Sequence, residues 1–397
     1  MANSTLKFYP VGNGDMTLLS LREEGNADQT VLIDCNIRET ASGDEDKTKF
    51  DTKPDLLSSL KKRNNNPYVD VFVLSHGDQD HCRGFKKNFY QGDPSKYSDK
   101  NRNAGEIIID EMWFSPMVAE ESTNDDENVH QIEAERRLEL HRKNDDTKEM
   151  PGNRIIIIGH DGDKKYADLD ALRYIPGKII TKINHTERKS FSVFVHAPYK
   201  QQLQQEEKEK NHTSIVFQAR FHSRSGNPKF SCLSMFGGDS DHHAWKIILE
   251  KTKKYENDKK QEALNWDIFL APHHCSWSFF NERPQAEHPT PEKESLQVLD
   301  YKRHNAKVIA SSNEVLNEKP NPPHYEAKQE YVKKVTASKF WNTETHIVKG
   351  KTPQPIILEV TELGPIPPKQ EEGSSKSVGA SYLGAINTPS TYGGKFI

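Results

Sequence analysis

Short apolar runs recur along most of the chain, and stretches rich in Gly, Asn, Asp and charged residues separate them. Runs of this length with alternating or β-branched positions predict β-strands. We place strands at 6–11, 16–22, 30–35, 69–75, 106–114, 155–158, 192–196, 214–221, 230–236, 266–271, 307–311 and 355–361. Helices are expected from Val129 to His141, as a surface helix with charge pairs, and from Ala244 to Lys251. Together these elements predict two packed sheets flanked by helices.

A polar cluster follows the apolar run Val69 to Leu74. The segment from Ser75 to His81 reads SHGDQDH, and it places four potential metal ligands within six residues. A straight strand would send His81 to the opposite side from the other three ligands. A loop that turns into a helix near His81 would gather all four around one centre. Imidazoles suit zinc, carboxylates also suit manganese or magnesium, and two His with two Asp favour a two-metal site.

Two later strands also end in ligand-bearing residues. After the run that ends at Met235 comes Phe236-Gly237-Gly238-Asp239, where the glycines permit close backbone approach. A turn with a helix cap explains that segment equally well. After Leu270 comes Ala271-Pro272-His273-His274. Two adjacent histidines after a strand, in a chain that already has the first cluster, favour a functional site.

The ordered pattern of strand–HxDxDH, strand–GD and strand–PHH resembles the metallo-β-lactamase fold. Asp78 stands where that fold usually has a second His, which is typical of the branch that contains the hydrolase domain of the DNA-uptake competence protein ComEC. Further similar segments, in the same order, span about residues 6 to 330; they are FYPVGNGD at 8–15, LIDCN at 32–36, NHTSIV at 211–216, ASSN at 310–313 and PH at 323–324. Two departures are Cys275 in place of a usual Gly, and the segment 116–190, which has no clear counterpart. The resemblance implies an α/β protein, specifically a four-layer αββα sandwich.

The resemblance also implies residue roles. One ion would be held by His76, Asp78 and His212, although Asn211 or neither residue can take the last place. The second ion would be held by Asp80, His81 and His273, with Asp239 bridging the two ions. Asp34 resembles a residue that orients a ligand. Catalytic roles would fall to Asp80, which would hold an ion and the attacking water, and to His274 and His324. These two histidines and Ser276 are candidates for substrate contact or proton donation. Alternatively, they are ordinary polar residues at the rim of the site.

The function implied is that of a binuclear metal-dependent hydrolase with two zinc or manganese ions. A hydroxide that bridges two divalent cations is a nucleophile at neutral pH, and the cations neutralise charge on the attacked group. We expect a phosphodiesterase or nuclease that acts on nucleic acid or a nucleotide-derived substrate. The alternatives are hydrolysis of an amide, ester or lactone at the same site, and a metal-stabilised binding module without turnover.

Composition limits the remaining questions. The chain has 397 residues and a formal net charge of −4, so no global basic field attracts nucleic acid. Neither an export signal nor an apolar run of membrane-spanning length is visible, which predicts a cytoplasmic protein that does not span a membrane. The cysteines, Cys35, Cys82, Cys232 and Cys275, are expected to be reduced, buried fillers.

The predicted organisation has two parts. Residues 1–362 form the hydrolase domain, with an insertion at about 116–190 that is expected to set substrate preference. Residues 363–397 form a linker and a Gly-rich tail. Two alternatives stay open for the tail from Val378 to Ile397: a frayed terminus, or an extended segment whose apolar residues dock on the same domain, on a second subunit or on a protein partner.

Overall fold

The computed structural model describes residues 3–38, 49–116, 124–159, 164–199, 213–227, 229–255, 262–317, 321–348, 350 and 352–368. His212 and the whole tail from Val378 to Ile397 lie outside these residues, so the predictions made for them stay predictions.

Nineteen strands are found in the described residues. They are β1 Thr5–Phe8, β2 Thr17–Leu21, β3 Gln29–Ile33, β4 Lys61–Arg63, β5 Asn66–Val73, β6 Ile108–Phe114, β7 Arg154–Ile158, β8 Arg173–Tyr174, β9 Ile179–Ile180, β10 Lys182–Ile183, β11 Thr186–Glu187, β12 Phe191–Ala197, β13 Val216–Phe221, β14 Cys232–Phe236, β15 Trp266–Leu270, β16 Lys302–Ala310, β17 Phe340–Asn342, β18 Ile356–Thr361 and β19 Gly364–Ile366.

The strands form two large mixed sheets. The first has the order β19-β18-β1-β2-β3-β5-β6-β7-β8, with β4 paired to β5; the second has the order β17-β16-β15-β14-β13-β12-β9. Strands β10 and β11 form a separate hairpin. In the first sheet β3, β5, β6, β7 and β8 run parallel, and in the second β14, β15, β16 and β17 do. The carboxyl ends of parallel neighbours meet at one edge of each sheet, where loops can converge.

Helices lie outside both sheets. In the described chain they are α1 Thr52–Ser59, α2 Gln79–Cys82, α3 Phe85–Asn88, α4 Asp99–Ala104, α5 Asp125–Arg142, α6 His242–Lys253, the short turn α7 Pro272–Cys275, α8 Lys293–Asp300 and α9 Tyr325–Val335. Apolar side chains divide into three cores. One joins the inner faces of the two sheets, a second joins the first sheet to α1, α3 and α5, and a third joins the second sheet to α6, α8 and α9. The protein is therefore a mixed α/β sandwich, as predicted.

All twelve predicted strands are present, with ends shifted by a few residues. The strands that were missed are only two or three residues long, which is too short to show an alternating pattern. Both predicted helices are present, as α5 and α6. Helix α5 is not merely a surface helix, because Glu133, Ala134, Arg137 and Leu138 are buried. The four cysteines are buried and free, as predicted.

Two strand pairings bear on the predicted organisation, whose boundaries stay predictions. Strands β7 and β8, within 116–190, extend the first sheet, so part of the supposed insertion belongs to its framework. Strand β19 pairs with β18 in the register Glu359 to Ile366, so the same sheet continues past residue 362. Within the described residues, no helix is both long enough and apolar enough to cross a membrane.

Candidate metal centre

The ligand-bearing segments meet where strands of both sheets end. Asp34 follows β3 and the segment Ser75 to His81 follows β5, both in the first sheet. From the second sheet, Asp239 follows β14 and the two histidines of α7 follow β15. Backbone hydrogen bonds fix this meeting point: Ile215 N donates to Ser75 O at 2.8 Å, and His273 N donates to Gly238 O at 3.0 Å. The three motifs recognised in the sequence therefore form a single site.

The first loop turns into a helix, as the motif required. Helix α2 begins at Gln79, and the His81 amide donates to Asp78 O at 3.0 Å. This turn brings His81 back beside His76, with 4.0 Å between the ring centroids. A straight strand would have separated the two rings.

The Asp239 carboxylate lies between two groups of ligand atoms. Its Oδ2 is 3.5 Å from His76 Nε2, which is in turn 3.6 Å from Asp78 Oδ2. We call His76, Asp78 and Asp239 the first cluster. The other oxygen, Oδ1, is 2.9 Å from His81 Nε2 and 3.3 Å from His274 Nε2.

The second cluster consists of Asp80, His81, His274 and Asp239. His274 Nε2 lies 3.1 Å from Asp80 Oδ2 and 3.1 Å from His81 Nε2. All four residues offer ligand atoms within 4.8 Å of one another, as do the three of the first cluster. Each cluster can hold a metal ion, and Asp239 belongs to both.

The two histidines of α7 divide differently from the expectation. His274, expected to contact substrate, is in the second cluster, whereas His273 Nε2 lies 3.7 Å from Asp239 Oδ2, on the side of the first cluster. The backbone explains this division, because φ is 49° at His273, 54° at His274 and 68° at Cys275. Non-glycine residues rarely adopt this left-handed conformation, and runs of it occur mainly at functional sites.

Some buried polar atoms of the site make no well-formed hydrogen bond among the described residues, although charged groups lie near them. Among the described residues, His76 Nε2 and Asp239 Oδ1 are buried without a hydrogen bond of acceptable geometry, as is Asp15 Oδ1. Such atoms are rare in folded proteins and call for an explanation such as a bound ion. A donor set of imidazole nitrogens and carboxylate oxygens suits zinc or manganese. The residues present therefore fit a metal centre.

The electrostatics point to a site that needs positive charge. Burial lowers the pKa of His274, but the nearby carboxylates of Asp239, Asp15 and Asp80 outweigh burial and raise that pKa to about 10. Burial also lowers the pKa of His81, but Asp239 and Asp34 outweigh burial and raise that pKa well above its usual value. Burial raises the pKa of Asp239, but the surrounding histidines bring it well below the ordinary range. Protons or metal ions must therefore balance these carboxylates.

Neighbouring groups hold the ligand side chains in place. Asp34 Oδ2 accepts from His81 Nδ1 at 2.8 Å and from Ser75 Oγ at 2.7 Å, the contacts that an orienting carboxylate makes. With Nε2 of His274 turned to the cluster, its Nδ1 lies 3.1 Å from Ser311 O. His273 Nδ1 is 3.0 Å from Ser278 Oγ.

The first turn of α5 supports the metal loop. Asp126 accepts hydrogen bonds from Gly84 N at 3.1 Å, from Lys86 N at 2.8 Å and from Gln79 Nε2 at 2.9 Å. Asn124 Nδ2 donates to Gly77 O at 2.8 Å. A Cβ on Gly77 would overlap the side chain of Glu127, which would have to move to admit any larger residue at this loop position. No sequence signal marks this role, because acidic residues at a helix start are ordinary.

Other predicted residues lie outside the two clusters. His324 precedes α9, and its Nδ1 is 3.3 Å from Glu326 Oε2. Ser276 Oγ donates to Asn321 Oδ1 at 2.8 Å and accepts from Ser278 Oγ at 3.0 Å, so it belongs to the support of His273. Among the described residues, neither belongs to a metal-ligand cluster.

Sequence comparison adds no family assignment. No protein-family model matches the chain, and no curated protein is similar to it at a significant level.

Proposed function

We propose that the protein is a binuclear metal-dependent hydrolase of the metallo-β-lactamase fold, in the branch with the HxDxDH motif. The observation that carries the proposal is the position of Asp239, whose two oxygens face separate clusters. A carboxylate shared in this way is suited to bridge two cations. The mixed α/β sandwich, with ligands on loops after β5, β14 and β15, supports the same proposal.

The exposed edge of the site indicates where a substrate would approach. Side-chain exposure is 36% for Asp78, 32% for Asp80 and 23% for His273, whereas His81 and His274 are fully buried. Two divalent ions held there would lower the pKa of water and neutralise charge that develops on a phosphoryl or carbonyl oxygen. Asp80 would orient the attacking water from this open side, and Asp34 and Ser75 would keep His81 in its ligating orientation.

The substrate proposed is a phosphodiester, as in a nucleic acid or a nucleotide derivative. Paired cations stabilise both the attacking and the leaving oxygen of a phosphoryl displacement. His273, at the edge of the site, is placed to contact such a substrate or to donate a proton to its leaving group.

The test is hydrolysis of bis-(p-nitrophenyl) phosphate by the purified protein with added manganese or zinc. We expect metal-dependent release of nitrophenol by the wild type and none by Asp80→Ala. Turnover of a lactone or ester without turnover of the diester would replace the phosphodiesterase proposal by the alternative hydrolase. Two bound ions with no turnover of either substrate would contradict a hydrolase.

A further inference from the structure

A cavity with basic residues in its lining is found at the far end of the second sheet from the metal centre. It has a volume of about 360 Å³, and its lining among the described residues includes Arg188, Lys189 and Arg220 but no acidic residue. Arg220 pairs with Leu233 near the start of β14, whereas Asp239 follows the end of that strand. At about 3.3 Å per strand residue, roughly 15–20 Å of chain separates this cavity from the metal centre. The cavity is therefore a separate site, and its role does not depend on the proposed function.

Arg220 is a buried cation without an ion-pair partner among the described residues. Its side chain is 1% exposed, and its Nε donates to Gln218 Oε1 at 2.6 Å. The guanidinium lies against two rings, 4.6 Å from the centroid of Phe194 and 5.4 Å from that of Phe230. Within the described part of the chain, its Nη2 has no hydrogen-bond partner.

Arg188 brings a second guanidinium to the same cavity. Its Nε donates to Gln29 Oε1 and its Nη2 donates to Ala27 O, both at 2.7 Å. The remaining nitrogen, Nη1, is buried without a hydrogen bond among the described residues, and a carboxylate oxygen of Glu23 is 3.7 Å away. Arg188 thus has one carboxylate, Glu23, at ion-pair distance, whereas no carboxylate of the described chain lies at ion-pair distance from Arg220.

Buried cations need a counter-charge. Removing a guanidinium from water is strongly unfavourable unless its donors and its charge are matched. Aromatic rings compensate only part of that loss. Burial lowers the pKa of Arg220 to about 10, a drop that Glu262 offsets only in part, so at neutral pH the group is still charged.

We propose that this cavity binds a small oxyanion, a phosphate or a carboxylate group, through Arg220 and Arg188. The planar guanidinium presents its donors in the geometry that both anions accept. Apolar side chains such as Phe191 and Phe230 line part of the cavity, and the lower local dielectric beside them strengthens a charged hydrogen bond. The anion can be free in solution or part of a larger ligand.

The test measures binding of inorganic phosphate and of acetate to the full-length protein by calorimetry and thermal unfolding, at constant ionic strength. One arm compares the wild type with Arg220→Met, which keeps the length of the side chain and removes its charge. The control is Arg142→Met, because Arg142 is already paired with Glu135 and Asp168. We expect saturable binding and stabilisation by at least one of the two anions, and the stronger anion identifies the ligand class.

In Arg220→Met the affinity should fall roughly 10- to 100-fold, as expected for loss of a charged hydrogen bond, while Arg142→Met binds like the wild type. An anion could instead bind at the metal centre, and that binding would not depend on Arg220. Unchanged binding in Arg220→Met therefore overturns the proposal. Absence of saturable binding of both anions to the wild type also overturns it. If Arg220→Met does not fold, Arg220→Gln replaces it, because glutamine also removes the charge; the same loss of affinity supports the proposal, and wild-type affinity contradicts it.

Discussion

Replacing Asp126 by alanine tests whether the first turn of α5 holds the metal loop. The Asp126 carboxylate accepts three hydrogen bonds from the stretch between Gln79 and Lys86, at 2.8 to 3.1 Å. A hydrogen bond to a charged group contributes about 1.5–3 kcal/mol, but Asp126 is partly exposed, so we expect a total loss of about 2–4 kcal/mol. A ligand loop that has lost its outer support typically binds metal about 10- to 100-fold more weakly.

The matched control is Asp125→Ala, one residue away in the same helical turn. Its side chain is 85% exposed and pairs with Lys86 Nζ at 3.1 Å. Both substitutions remove one negative charge from the start of α5, so the effect of the helix dipole is the same in each. Zinc affinity is measured by competition with a chelating dye, and folding by circular dichroism. Wild-type zinc affinity in a folded Asp126→Ala, or an equal loss in Asp125→Ala, would show that Asp126 does not support the loop.

Three further predictions concern the metal centre. Asp80→Ala should lower the rate of diester hydrolysis by at least about 10³-fold while circular dichroism shows an intact fold, because positioning and charge stabilisation are lost together; near wild-type turnover with metal bound would show that Asp80 is not catalytic. The pKa of His274 is about 10 in the metal-free protein, so its proton must leave before zinc binds. Zinc affinity should therefore rise with pH through neutrality, and calorimetry in two buffers of different ionisation enthalpy should detect released protons; no release at pH 7 would contradict the assignment. Chelation should lower the melting temperature of the wild type, because the metal binds the folded state alone. In Asp239→Ala, chelation should leave the melting temperature unchanged. A wild-type decrease on chelation in that variant would show that Asp239 is not part of the site.

The sequence predicted the strands and the three ligand loops because both depend on local patterns. Short, mostly apolar runs mark β5, β14 and β15. Polar ligands at the carboxyl ends of parallel strands can converge on one point. The exchange of His273 and His274 could not be predicted in this way. It depends on left-handed backbone angles that neither residue favours, which the surrounding fold imposes.

Long-range partners were also beyond the sequence. Asp126 lies about 40 residues from the loop it supports, and a solvated helix start has the same composition. Arg220 lies within a strand that otherwise resembles a buried one, and only the packing shows that its Nη2 is left without a partner among the described residues. The proposed role of 116–190 in substrate preference remains a prediction, and a test must spare α5, β7 and β8, which serve the framework.

Anomalous diffraction from crystals of the protein grown with manganese or zinc would reveal directly whether the centre is binuclear. We predict two anomalous peaks about 3.5–4 Å apart, the spacing of two-metal sites. One peak should lie among His76, Asp78 and Asp239, and the other among Asp80, His81, His274 and Asp239. A single peak, peaks elsewhere in the protein, or no peak at saturating metal would contradict a binuclear centre.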